Sequence, residues 1–116
     1  MASPGNYNMV VPQSTTFTFA CKIQEGSTPW DLTGYTGTMT VRPFLGSATT
    51  TLLATTANGK LTLGGPAGTV SVTFTAPETT IKAESYVYDI VLNSGGTITR
   101  ILEGQFIVTA GVTVLS

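Results

Sequence analysis

The stretch TFTFACKIQ, residues 16–24, alternates apolar and polar residues almost without interruption. Its odd positions, from Phe17 to Ile23, are apolar, and its even positions are mostly polar. Because successive side chains of a β-strand point to opposite faces of the sheet, this period of two predicts a half-buried strand with one dry face. Cys21 falls on that dry face, which predicts a buried small apolar residue.

Turn signals divide the rest of the chain into similar short segments. Alternating or apolar segments lie at residues 35–42, 49–55, 60–63, 69–75, 86–92 and 97–108. Asn58-Gly59 predicts a two-residue hairpin in which 60–63 is the return strand. Gly104 predicts a bulge or bend within the last strand.

Helix signals are almost absent from the sequence. Pro77 and Glu78 favour one short helical turn near 77–82, because proline suits the first helical position and an acid suits the positive end of the helix dipole. Seven or eight short antiparallel strands with a single helical turn predict an all-β protein, an immunoglobulin-like β-sandwich. A closed barrel has a similar strand count and is an alternative.

The length of 116 residues suits a single core. We expect an extended N-terminal arm over 1–12, a β-sandwich domain over 13–110 and an extended C-terminal tail over 111–116. The first residues carry no secretory signal, and no apolar run approaches the roughly 18 residues needed to cross a bilayer. These features predict a protein that is made in a cytoplasm and does not enter a membrane.

Charge is scarce and balanced. The chain has five Lys and Arg, six Asp and Glu and no His, with a net charge of −1. Nucleic-acid binding needs a surplus of cations, so we expect no nucleic-acid partner. Threonine replaces charge: the 23 threonines predict a polar but uncharged strand surface.

The residues for catalysis are also missing. Without histidine the chain lacks the usual general base and the commonest metal ligand. We therefore expect no enzyme, no catalytic residues, no metal site and no cofactor. The carboxylates inside strong strands are Asp89 and Glu103, which a hydrolase would need close together and open to solvent. The favoured interpretation is structural, with Asp89 paired to Arg42 or Arg100.

One aromatic residue stands apart from the strands. Trp30 lies in a polar loop, where it either caps the end of the core or serves as an exposed anchor for a partner or a host-surface carbohydrate.

Several runs are similar to those of small structural proteins of tailed bacteriophages. They are WDLTGYTGTMTVR at 30–42, LATTANGKLTL at 53–63, GTVSVTF at 68–74 and YVYDIVL at 86–92. Leu32-Thr33-Gly34-Tyr35 also resembles the immunoglobulin-like N-terminal domain of phage baseplate upper proteins. The resemblance covers the chain from about Gln13 and carries no catalytic motif, so it implies a context and an architecture.

The resemblance implies a virion component. A lone domain of this size suits a capsid decoration, or cement, protein that binds the major capsid protein and self-associates on the capsid surface of the particle. A tail, baseplate or fibre-attachment adaptor is the alternative, and a host-surface carbohydrate-binding module is a third. Either end of the chain can add to a neighbour's sheet edge. The expected interface residues are Tyr7, Asn8, Met9, Val10, Trp30, Val112 and Val114.

Overall fold

A computed structural model describes residues 5–25 and 27–110. Their strands are β1 (Gly5–Asn6), β2 (Met9–Pro12), β3 (Phe17–Lys22), β4 (Gln24–Glu25), β5 (Thr28–Pro29), β6 (Thr36–Arg42), β7 (Leu52–Thr55), β8 (Leu61–Leu63), β9 (Thr69–Phe74), β10 (Ser85–Ser94) and β11 (Thr97–Thr109). A 3₁₀ turn, Gly65–Ala67, joins β8 to β9.

Two sheets face each other across the core. The larger has the order β1-β11-β10-β6-β7, with β2 also beside β11, and the smaller has the order β3-β9-β8. β4 and β5 form a separate two-stranded ribbon. This architecture confirms the predicted all-β sandwich.

Aromatic rings join the two sheets. Phe106 of β11 meets Phe74 of β9 and Phe17 of β3 edge to face, at centroid distances of 6.1 Å and 6.0 Å. Such tilted pairs suit the ring quadrupoles and add to the free energy of burial. Phe74 and Phe106 are fully buried, whereas Phe17 is only half-buried.

The β10–β11 hairpin closes as the sequence predicts. Gly95 and Gly96, with φ of 57° and 96°, form the tight turn between Ser94 and Thr97. The bulge, however, lies at Ile101, because the pairing shifts between Ile90 with Leu102 and Val91 with Arg100.

Gly104 instead allows a close approach of the N-terminal segment. A β-carbon there would come within 2.2 Å of the Tyr7 carbonyl oxygen. That oxygen accepts a hydrogen bond of 2.5 Å from the buried Tyr88 hydroxyl. Burial raises the pKa of Tyr88, so the hydroxyl stays protonated as a donor.

The stretch expected to be an arm lies, over its described part, in the large sheet. β1 and β2 pair parallel with β11, which departs from the all-antiparallel arrangement that the sequence predicts. Met9 and Val11 are buried in the core. The expected tail over 111–116 lies outside the described residues.

Asn58-Gly59 does not form the predicted hairpin. β7 belongs to the large sheet, whereas β8 pairs with β9 in the small sheet, so this turn crosses between sheets. The Asn58 side chain accepts from the Thr55 amide at 2.9 Å and donates to the Leu53 carbonyl at 3.1 Å. These bonds satisfy main-chain groups that a returning strand would otherwise take.

The turn after β9 replaces the expected helical turn near 77–82. The Thr79 amide donates to the Thr75 carbonyl, but no helix continues from it. Glu78 holds this turn by accepting from the Thr75 amide at 2.8 Å and pairing with Lys60 at 2.7 Å. Burial raises the pKa of Glu78, but the hydrogen bonds from Lys60 and Thr75 outweigh it and leave the pKa below its ordinary range.

We expect Glu78→Gln to lower the free energy of unfolding at pH 7 by about 1 kcal/mol, because it loses a charge-assisted pair. A lowered pKa in the folded state stabilises the protein above the ordinary glutamate pKa of 4.5, and that gain disappears as the pH falls further. Urea unfolding at pH 7 and pH 3 measures both effects. Glu84→Gln, in the more exposed pair with Lys82, is the control. An equal loss at both pH values would contradict this role of the Glu78 carboxylate.

Candidate interaction surface

A groove of about 640 Å³ lies where β6, β10 and β11 meet the loop after β6. It lies on the face of the large sheet that points away from the core, since Val87 and Asp89 of its lining alternate along β10 with the buried Tyr86, Tyr88 and Ile90. Its lining combines charged, apolar and small residues: Asn6, Thr40, Arg42, Leu45, Gly46, Ser47, Val87, Tyr88, Asp89, Arg100, Glu103 and Gly104.

Four of the eleven charged residues of the chain line this groove. Arg100 Nε donates to Asp89 Oδ2 at 3.1 Å and lies 4.0 Å from Glu103 Oε1. The predicted partner of Asp89 is therefore Arg100. Arg42 instead donates from Nη1 to the Ser47 carbonyl at 2.5 Å, and within the described residues it has no carboxylate within 4.0 Å.

Asp89 and Glu103 are brought together, as a hydrolase would require. They are direct cross-strand partners between β10 and β11. Arg100 stands within reach of both, so the geometry is that of a three-residue ion-pair cluster in which one cation offsets two anions. Among the described residues, no group of three or more acidic, cysteine or histidine side chains is placed to hold a metal ion.

Two apolar residues beside this groove were missed by the sequence reasoning. Phe44 is 62% exposed and Leu45 is 90% exposed, in the loop between β6 and β7. The loop is held at its base because the Ser47 amide donates to the Phe44 carbonyl at 3.1 Å. A usable signal is in the sequence: Pro43 and Gly46 bracket a turn, where large apolar residues gain nothing from burial.

The predicted N-terminal interface residues differ in how far their side chains are exposed. Tyr7 is 51% exposed and Val10 is 58% exposed, whereas Met9 is buried in the core. Asn8 is exposed, and its side-chain oxygen accepts from the Gln105 amide at 3.0 Å. Tyr7, Asn8 and Val10 are therefore exposed to solvent, and Met9 contributes to packing.

Trp30 lies elsewhere in the molecule. It is half-buried against the core, and its main-chain amide donates to the Ile23 carbonyl at 2.9 Å. Val112 and Val114 lie outside the described residues.

We expect Arg100→Met to lower the free energy of unfolding by roughly 0.5–1 kcal/mol, because Asp89 then faces Glu103 without a cation. Adding Asp89→Asn should recover part of this loss by removing the like-charge pair. Chemical denaturation at low and high salt measures the free energy of unfolding, and the loss caused by Arg100→Met should be smaller at high salt. Lys82→Met is the control, since its ion pair is more exposed. Equal losses of unfolding free energy in Arg100→Met and Lys82→Met would show that the cluster stabilises the fold no more than an exposed ion pair does.

No protein-family model matches this chain, and no curated protein matches its sequence significantly. Within the described residues, no helix has the length and apolar character needed to cross a membrane.

Proposed function

We propose that this chain is a non-enzymatic structural protein of a tailed-bacteriophage particle, and that it decorates the capsid by binding the major capsid protein. The sequence runs that resemble small phage structural proteins support this context. The β-sandwich fold is compatible with it. The single observation that carries the binding role is the exposed Phe44-Leu45 pair beside a charged groove.

The binding mechanism follows from the chemistry of that surface. Large apolar side chains that enter a partner's pocket supply most of the free energy of a typical interface. Phe44 and Leu45 are such anchors, held on a loop whose main chain is pinned by Ser47. Arg42, with no carboxylate partner among the described residues, offers its remaining donors to an acidic side chain of the partner.

The rest of the surface suits close packing among other subunits. A net charge of −1 gives little electrostatic repulsion between subunits, and the threonine hydroxyls keep the strand surfaces hydrated without adding charge. In this proposal the protein is made in the host cytoplasm and joins a preformed shell by burying surface, with no chemical step.

A tail or baseplate adaptor is the second candidate. It is favoured by Leu32-Thr33-Gly34-Tyr35, which resembles the N-terminal domain of baseplate upper proteins. In the structure these residues form a turn into β6, in which the Tyr35 amide donates to the Leu32 carbonyl at 3.0 Å. Leu32 is buried, so the motif anchors the turn on the core.

Cryo-electron microscopy of particles incubated with the purified protein distinguishes these roles. Regular density over the shell would support decoration of the capsid. Density confined to the tail or baseplate would support the adaptor and overturn the capsid role. Absence from both would overturn the virion assignment.

We expect the double variant Phe44→Ser, Leu45→Ser to remain folded and to lose at least roughly tenfold in affinity for the particle, because it lacks the two exposed apolar side chains that the proposed interface would bury. Co-sedimentation with particles measures binding, and thermal unfolding measures stability. Ile98→Ser is the matched control, since Ile98 is equally apolar and 67% exposed but does not line the groove. Unchanged binding of the double variant would place the interface elsewhere.

A further inference from the structure

The outer edge of β3 has no partner strand among the described residues. β3 is the end strand of the small sheet and pairs only with β9. The Ile23 amide donates to the Gly68 carbonyl in continuation of this ladder. Because antiparallel hydrogen bonding alternates, odd residues bond to β9 and the even residues Thr18, Ala20 and Lys22 direct their amides and carbonyls to the free side.

One edge of the large sheet, formed by β7, is protected. On β7 the Asn58 side chain bonds to the Leu53 carbonyl and the Thr55 amide, which face away from β6. Unpaired edges invite pairing with another chain, and folded proteins commonly block them. Among the described residues β3 is also the longest edge strand, with six residues, whereas the other edge strands have four or fewer, so it offers the longest edge for strand addition.

The core is also incompletely covered along β3. The inward residues Phe17, Phe19 and Cys21 are half-buried, whereas their counterparts on β9 are fully buried. Tyr7, half exposed, lies against Phe19 with its ring centroid 5.4 Å away. An added strand at this edge would therefore cover apolar surface as well as satisfy main-chain groups.

We propose that β3 is a self-association site, at which two copies of the chain pair their β3 strands antiparallel about a two-fold axis near Ala20. The result is a continuous six-stranded sheet with the order β8-β9-β3-β3-β9-β8. The interface is isologous, because each copy offers the same edge to the other. It depends only on the fold of the chain and stands apart from the proposed virion role.

A second copy fits this edge because the strand can pair with itself without placing like charges opposite each other. In the register centred on Ala20, Lys22 faces Thr18 of the second copy, so the one charge on each strand meets a neutral hydroxyl. Cys21 faces Phe19 of the second copy on the inward side, which adds apolar contact where each copy lacks it. The small net charge of −1 opposes association only weakly.

Sedimentation velocity of the full-length chain over a range of concentrations tests the association. We expect a concentration-dependent dimer. Ala20→Pro removes an amide that bonds to nothing within the described residues, so the fold should survive while the dimer dissociation constant rises by roughly tenfold or more. A wild-type chain that stays monomeric at the highest soluble concentration overturns the proposal.

Leu53→Pro is the matched control. It also places proline on an edge strand, at an amide that faces away from the neighbouring strand, but on the edge blocked by Asn58. Circular dichroism should show folded protein for both variants, with the dimer kept only by Leu53→Pro. Equal loss of the dimer in both variants overturns the assignment to β3.

A cross-link tests the register without relying on proline. Hydrogen-bonded partners across an antiparallel pair have Cα atoms about 5.5 Å apart, within reach of a disulfide. Ala20→Cys in a Cys21→Ala background should form a disulfide-linked dimer on oxidation, whereas Thr73→Cys in the same background should not. A dimer that never cross-links at position 20 overturns this register.

Other occupants of the edge give different results. If the full chain is monomeric and a chain ending at Ala110 dimerises, residues 111–116 compete for the edge and the second copy is not its natural occupant. That outcome overturns the proposal, as does a dimer that persists undiminished in Ala20→Pro. None of these outcomes depends on whether the protein binds phage particles.

Discussion

The double-sided pairing of β10 is the constraint on which the rest of the structure depends. β10 lies between β6 and β11: all ten of its residues pair with β11, and the seven at 87–93 also pair with β6, so this stretch is held in register from both sides. Tyr86, Tyr88, Ile90 and Leu92 all point into the core and are buried. A slip by one residue would exchange this row for Val87, Asp89 and Val91 and bury a carboxylate, so the register has a steep energetic preference.

That register determines the groove on the opposite face. Once the inner row of β10 is fixed, Asp89 must face Glu103 on β11 and Thr40 on β6. The bulge at Ile101 then changes the phase of β11, so that Arg100 and Glu103 reach the same side of the sheet as Asp89. The charge cluster is thus a consequence of core packing combined with one extra residue.

The alternation of apolar and polar residues predicted the strands well, because it indicates which face of a strand is buried. Partner choice depends on contacts between distant residues, and there the sequence was misleading. Asn58-Gly59 has the chemistry of a hairpin turn, but its side-chain bonds close β7 and release β8 to the other sheet. The parallel pairing of β1 and β2 with β11 depends on Gly104, about a hundred residues further along the chain. Because Gly104 has no β-carbon, the Tyr7 main chain can approach β11 closely.

The candidate surface was harder to predict than the fold. The pairing of Asp89 with Arg100 is one of the two that the sequence predicts. Met9 was expected at an interface, yet its place beside Val10 on one strand means that only one of the two can face outward. Alternation of apolar and polar residues does not predict the exposure of Phe44 and Leu45, because the two residues lie in a turn outside the strands.

The low charge of the chain affects how its sheet edges can be protected. A protein with few charges cannot rely on repulsion to keep its sheet edges apart, so each edge must be blocked by geometry or used. The Asn58 side chain blocks the edge of β7, where a hairpin strand would otherwise pair. Gly104 lets β1 and β2 extend the large sheet beyond β11. β3 receives neither treatment and leaves Phe17, Phe19 and Cys21 half-covered. The open edge of β3 therefore presents both unpaired main-chain groups and uncovered apolar surface, the two features that a pairing strand would cover.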